Sequence, residues 1–313
     1  MTTNILSRAQ GCMLGQLCGD ALGSLVEFQT PQQILKKYPE GVRDLSDGGT
    51  WNTLAGQPTD DSELALALAR TLAAERTYNV SSARRSYEAW LASGPFDCGM
   101  ATRRGIKGNP DPNTQANGAL MRISPLGIFG INHEHSALEK WARLDASITH
   151  PHKVCGDCNA LFVGAIAFAI KSGASALETY DQIVRHADQI GIKGELRNCI
   201  ARAAETVPAD YVTQQGWVLI AFGNALYQLL HAHSVEAAIV DTVMRGGDTD
   251  TNAAICGALL GAVYGIESLP DRWVKTVLNC RPDRGHARVR QPRPKDYWPL
   301  GALEIAEALT LRA

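Results

Sequence analysis

The sequence predicts an all-α fold in a single compact domain, residues 1–313. Three observations carry this expectation. Apolar residues recur at helical spacing through most of the chain, and alternating, β-branched runs of strand type are few and short. No composition break, Ser/Gly linker or fixed-period repeat divides the 313 residues. With 45% apolar and 20% charged residues, the chain can also build a large packed core.

The elements follow in order. Residues 7–26 are apolar with Gly11, Gly15, Gly19 and Gly23 one turn apart, which lines the glycines along one helix face where a second backbone can approach. Residues 252–265 repeat the device with Gly257, Gly261 and Gly265. Such stripes pair helices in lipid; in a packed core they mark close helix contact. Helical periodicity predicts further helices over 62–76, 81–93, 136–147, 159–171, 176–190, 195–206, 217–231 and 235–244. The stretch 280–299 is basic and proline-rich, and reads as an extended, solvated strap leading to a terminal helix over 300–311.

The formal net charge of −2 gives no electrostatic reason to expect nucleic acid as a partner. The opening MTTNILSRAQ lacks a signal-peptide pattern, and the most apolar runs, such as 253–266, fall short of the ~18–20 residues of a membrane span. No membrane association is expected. Eight cysteines, mostly in apolar helical text, suit a reducing cytoplasm. A monomer is the favoured state.

Two polar clusters break this apolar pattern. RGGDTDTNA (245–253) stands directly before AAICGALLGAVYG, and TDDSEL (59–64) directly before ALALARTLAAER. Helix capping accounts for part of this, since Asp and Thr are good N-caps and Asp60 with Glu63 fits a capping box. One cap needs one side chain, however, and each cluster supplies two aspartates and two hydroxyls. If the clusters meet, four negative charges share a small volume, and each close pair repels by roughly 1 kcal/mol even in water. Two divalent cations would balance them. Asp60, Asp61, Asp248, Asp250 and the hydroxyls of Thr59 and Thr251 are all hard oxygen donors, suited to Mg²⁺, Mn²⁺ or Ca²⁺ rather than zinc. The expectation is a metal site at helix N-termini that binds a diol or phosphate or activates a water.

These motifs, with GCMLGQLCGDALGSLVEF (11–28), NGALMRISPLGIF (117–129) and SITHPH (147–152), resemble the ADP-ribosylglycohydrolases over residues 8–265. The resemblance implies a compact all-α fold, a centre of two Mg²⁺ or Mn²⁺ ions, and hydrolysis of the bond between ribose C1″ and an acceptor, often an arginine nitrogen. It makes Thr59, Asp60, Asp61, Asp248, Asp250 and Thr251 the metal ligands. It places Glu27 and Asp97, the latter in PFDCGMATRRG, at the reacting ribose as acid and base. Asn117 and Gly118 fall on the loop that touches ribose or diphosphate, His150 lines the nucleotide site, and Trp217 in GWVLIAF is an aromatic that stacks on the ligand. The partners implied are an ADP-ribosylated protein or a small ADP-ribose conjugate. Two departures stand out: Ala116-Asn117-Gly118 replaces a Gly-Asn-Gly loop, and GIKGNPDPNTQA (105–116) is long and turn-rich.

Other patterns are weaker. His150, His152, Cys155 and Cys158 are too cramped for a zinc finger, and the Cys-x-x-Cys lacks the βαβ setting of a redox motif. INHEHS (131–136) reads as a solvated loop. A binding module without turnover, a structural protein and a two-metal phosphatase are the rival functions.

Overall fold

A computed structural model describes residues 3–311. The helices are α1 (Thr3–Gly23), α2 (Pro31–Lys37), α3 (Asp60–Glu75), α4 (Val80–Ala92), α5 (Met100–Ile106), α6 (Ser124–Phe129), α7 (His135–Thr149), α8 (Lys153–Ser172), α9 (Ala176–Gln189), α10 (Gly194–Ala203), α11 (Val218–His231), α12 (Val235–Met244), α13 (Thr249–Tyr264), α14 (Asp271–Leu278) and α15 (Ala302–Thr310). Among the described residues there is no strand, only isolated bridges such as Ala116 with Trp217. The fold is all-α, as the periodicity predicts. The outermost residues of the expected domain, 1–2 and 312–313, lie outside the described residues.

Antiparallel α1 and α13 form the centre. Residues 11–27 are all buried, as is every residue from Thr249 to Val263. Helices that are apolar all round belong in the middle of a bundle. Their glycine stripes face each other: Gly11 lies against Gly261, Gly15 against Gly257 and Gly19 against Ala253. Around this pair, α8, α11 and α12 pack on α13, and α15 and α8 on α1.

Four helices that periodicity missed, α2, α5, α6 and α14, have 7, 7, 6 and 8 residues, too few turns for a repeating face to register. The first carries a capping box of Thr30 and Gln33 that local chemistry signals. Helix α8 begins six residues before its predicted start because His152 Nδ1 accepts the Val154 N–H and caps it. At 20 residues, α8 is long and apolar enough, by length and composition, to cross a membrane, contrary to the expectation that no stretch is. Here it is 78% buried, packed against α6, α7, α9 and α13.

Two loop expectations need correction. His135 opens α7 and its Nε2 lies 2.9 Å from Nε2 of His186, while the His133 ring packs 4.6 Å from that of Phe129. The run 280–299 is irregular apart from a turn at Lys295–Tyr297, but it is not uniformly solvated. Arg293 is buried and forks onto Glu63, with Nη2–Oε2 2.7 Å and Nε–Oε1 2.8 Å. Glu63 also accepts from Trp90 Nε1 at 2.7 Å. Glu63 therefore anchors the strap to α3 and takes no part in a capping box.

Candidate active site

The glycine stripe sets the site. It brings the C-terminal end of α1 onto the N-terminal end of α13: a Cβ on Gly23 would lie 2.4 Å from the Asp250 Cα. Thr249 Oγ1 locks this register by donating to the Gly23 carbonyl at 2.7 Å. Asp20 and Glu27 thus face the DTDT segment through backbone packing.

The start of α3 is capped by a residue from another helix. Asp20, fully buried, accepts from Thr59 N (3.1 Å), Thr59 Oγ1 (2.8 Å) and Ser62 N (3.1 Å). Thr59 itself, at the N-cap, makes no side-chain cap bond. Because Asp20 satisfies the orphan amides, Asp60 and Asp61 are released from capping. Asp20 escaped the sequence reading; its signal was a lone carboxylate inside the apolar, glycine-striped run LCGDALG.

The turn before α13 requires glycine. Gly246 and Gly247 have φ of 74° and 73°, and a Cβ on Gly247 would lie 1.9 Å from the Tyr211 carbonyl oxygen. This turn delivers Asp248 and Asp250. Asp248 Oδ2 accepts from Asn117 Nδ2 at 2.7 Å, and Asn117 is held in turn by its N–H to the Gly216 carbonyl at 2.8 Å. Thr251, buried, lies within reach of Asp61. Thr59 Oγ1 also reaches Asp61 Oδ2, at 3.1 Å.

The two clusters converge. Carboxylate oxygens of Asp20, Asp61 and Asp250 all lie within 4.8 Å of one another, and so do those of Glu27, Asp248 and Asp250. Asp250 belongs to both groups. Asp60 is close enough to raise the pKa of Asp61, Asp97 and Glu27 through charge repulsion. Burial pushes Asp20 and Asp60 up to about 6 and Glu27 to about 8, with Asp248 adding to the rise in Glu27. Burial and neighbouring carboxylates drive Asp61 and Asp250 well above the usual carboxylate range. Among the strongest influences on these groups there is no basic side chain. Asp61 Oδ1 is buried without a hydrogen-bond partner among the described residues. An orphaned anionic oxygen amid uncompensated carboxylates fits hard divalent cations.

Glu27 and Asp97 flank this centre. Glu27 Oε2 accepts from Trp51 Nε1 at 2.5 Å. Asp97, in the loop before α5, lies against Asp60; burial first, then the charges of Asp60 and Glu27, raise its pKa to about 10.

The Asn117–Gly118 loop is supported from within. Arg122, fully buried, donates to the Gly118 carbonyl (3.0 Å), Thr149 Oγ1 (2.8 Å) and Asp145 (Nε–Oδ1 3.1 Å). Thr149 in turn bonds His150 Nδ1 at 2.7 Å. His150 Nε2 is buried without a hydrogen-bond partner among the described residues. Burial holds His150 neutral, with its pKa lowered to about 3. At 1% exposure its ring lies beneath Gly118, where a Cβ would come within 2.9 Å of Cε1. His150 thus packs against Gly118 of the loop, and Arg122 is a support that the sequence does not single out. Trp217 is half-buried at the start of α11, its Nε1 donating to Gln115 Oε1 at 3.0 Å. It lines a cavity of about 660 Å³ between α10 and α11. The HPHKVCGDC stretch shows no metal-binding geometry among the described residues: Cys155 is buried and bonds the carbonyls of Thr114 and Ala116.

The ADP-ribosylglycohydrolase family model matches residues 1–297. Over 289 residues the chain is 32% identical to the ADP-ribosyl-[dinitrogen reductase] glycohydrolase of Rhodospirillum rubrum, covering 87% of this chain and 90% of that protein. It is 30% identical over 293 residues to the ADP-ribosylarginine hydrolase Tri1 of Pseudomonas putida (strain GB-1), covering 87% and 74%. A solved structure of an ADP-ribosylglycohydrolase-related protein complex superposes with a TM-score of 0.79 at 26% identity, over 98% of both chains.

Proposed function

We propose, for a chain that belongs to the ADP-ribosylglycohydrolase family, hydrolysis of the bond between ADP-ribose and an arginine side chain of a modified protein, with two Mg²⁺ or Mn²⁺ ions as cofactors. The observation that carries this reading is the pair of acidic groups joined at Asp250, with no base among them. Asp20, Asp61 and Asp250 would hold one ion and Glu27, Asp248 and Asp250 the other, with Asp60, Thr59 and Thr251 completing the oxygen shell. When bound, such ions neutralise the cluster and grip a sugar diol as Lewis acids.

The chain's own groups then do the rest. Asn117 fixes Asp248, and the loop backed by Arg122 and His150 presents the Gly118 backbone to the ligand. Trp217 offers an indole face beside it. Glu27 and Asp97 flank the centre: one of them, ionised, would take the proton of the attacking water while the other, protonated, would give its proton to the departing nitrogen. Holding ribose, water and acid together is itself worth several kcal/mol. The dinitrogen reductase and arginine hydrolase relatives support a protein substrate and an arginine linkage. All eight cysteines are unpaired, which suits a cytoplasmic enzyme.

The test is release of free ADP-ribose from arginine-, serine- and acetyl-linked conjugates under Mg²⁺, Mn²⁺ and excess chelator. Metal-dependent release from the arginine conjugate is expected. Full activity in chelator, or release of phosphate instead, contradicts the reading.

A further inference from the structure

We infer that Phe28, Trp51 and Phe96 form the wall that receives the leaving group, and that this wall selects a planar cation, the arginine guanidinium, over a neutral hydroxyl acceptor. The inference rests on the hydrolase reading above and assigns its specificity. Phe28 directly follows Glu27, and Phe96 directly precedes Asp97. Each acidic candidate therefore has an aromatic neighbour in the chain, and Trp51 joins the two. Its ring centroid lies 6.3 Å from that of Phe28, edge-on at 77°, and 6.1 Å from that of Phe96, tilted by 52°. The same indole donates its N–H to Glu27, so the wall is continuous with the acidic centre.

The rings are not core packing. Phe28 is 53% exposed, and Trp51 and Phe96 are only half-buried. The Phe28 N–H donates to the Gly247 carbonyl at 2.8 Å, pinning the residue to the turn that carries Asp248. A guanidinium needs two surfaces. Its edge donates in-plane hydrogen bonds to carboxylates, and its faces are attracted to aromatic rings. Glu27 and Asp97 supply the first, and the three rings the second. The strongest influences on Glu27 and Asp97 besides burial and the Trp51 hydrogen bond are other carboxylates, so the site favours an incoming cation. A serine acceptor brings neither charge nor planar face and gains nothing from the rings.

The test compares kcat/KM on ADP-ribosyl-arginine and ADP-ribosyl-serine peptides for the wild type, Phe28→Leu, Phe96→Leu and Trp51→Phe. Each leucine keeps apolar bulk and removes a ring face. Both leucine variants are expected to lose roughly tenfold on the arginine substrate and to stay within about twofold on the serine substrate. Trp51→Phe keeps a ring but loses the donor to Glu27, so it falls on both. If serine-linked peptide proves inert, the inhibition constant of L-arginine methyl ester decides, rising roughly tenfold in both leucine variants. Equal losses on both acceptors in the leucine variants, or no change on arginine with an unaltered inhibition constant, overturns the inference. A wild type that releases ADP-ribose from neither peptide overturns the hydrolase reading instead. Unchanged melting temperature and ADP-ribose affinity confirm that the variants are folded.

Discussion

Gly15 and Gly257 leave no room for a side chain between them: a Cβ on either would sit 2.1 Å from the other's carbonyl oxygen. Both neighbours are backbone, so nothing yields except the separation of α1 and α13. Gly15→Ala and Gly257→Ala are each expected to cost about 1–3 kcal/mol or more, by forcing apart a close-packed interface. Gly285→Ala, where a Cβ meets nothing within 4 Å, is expected to be neutral. Chemical unfolding followed by circular dichroism checks both. Because the same contact aligns Asp20 with Asp250, the first two variants should also bind Mn²⁺ more weakly.

The acidic centre sets function against stability. Asp61→Asn removes a buried charge that repels Asp60, Asp20 and Asp248. In chelator this variant is expected to melt above the wild type. With Mn²⁺ at 100 times its dissociation constant, the wild type should gain about 2.7 kcal/mol, while the variant gains much less. Thermal shift with and without metal reads both halves. A wild type that Mn²⁺ leaves unmoved would remove the metal centre.

The all-α class and the meeting of TDDSEL with GGDTDTNA were legible because long helical periods and doubled carboxylates are strong local signals. Asp20 and Arg122 were not. Each is one polar residue in apolar text, and its partners lie 39 and 23 residues away in Thr59 and Asp145. Sequence shows the charge but not what meets it. Glu63 misled for the same reason: its spacing from Asp60 fits a capping box, yet its partner is Arg293, 230 residues on.

Glu27 gives the pH dependence a sign. Its pKa in the fold is raised from 4.5 to about 8 by burial and by Asp248. A raised acid favours the folded state while protonated, so its contribution is full below 4.5 and is lost as pH climbs through about 8. In metal-free protein, Glu27→Gln should escape this loss. The stability difference, variant over wild type, is expected to widen between those two pH values. Urea midpoints at several pH values in chelator measure it, and a difference that shrinks with rising pH would contradict the assignment. The variant should lose roughly 10²–10⁴ in kcat.

Asn117 acts through Asp248, which it holds with a 2.7 Å hydrogen bond. Asn117→Ala leaves every acidic ligand in place but frees Asp248 to rotate. Loss of such an orienting partner typically costs roughly 10–100-fold in metal affinity. Mn²⁺ titration by calorimetry should show that drop with helix content unchanged.

Arg122 is the last test, because it separates charge from geometry. Its guanidinium reaches Asp145, the Gly118 carbonyl and Thr149 Oγ1 at once, and Asp145 also accepts from Tyr87 at 2.9 Å. A lysine keeps the charge but replaces the planar fork with a single ammonium centre, so it cannot serve all three partners. Removing the charge leaves Asp145 buried and uncompensated, a loss of about 3–5 kcal/mol. Arg122→Met should therefore be strongly destabilised or fail to fold. Arg122→Lys should fold with a smaller loss, yet bind ADP-ribose more weakly, because the Gly118 carbonyl and the Thr149–His150 pair lose their common donor. Equal affinity in Arg122→Lys and wild type, measured by calorimetry at saturating metal, would show that the loop holds its shape without the fork.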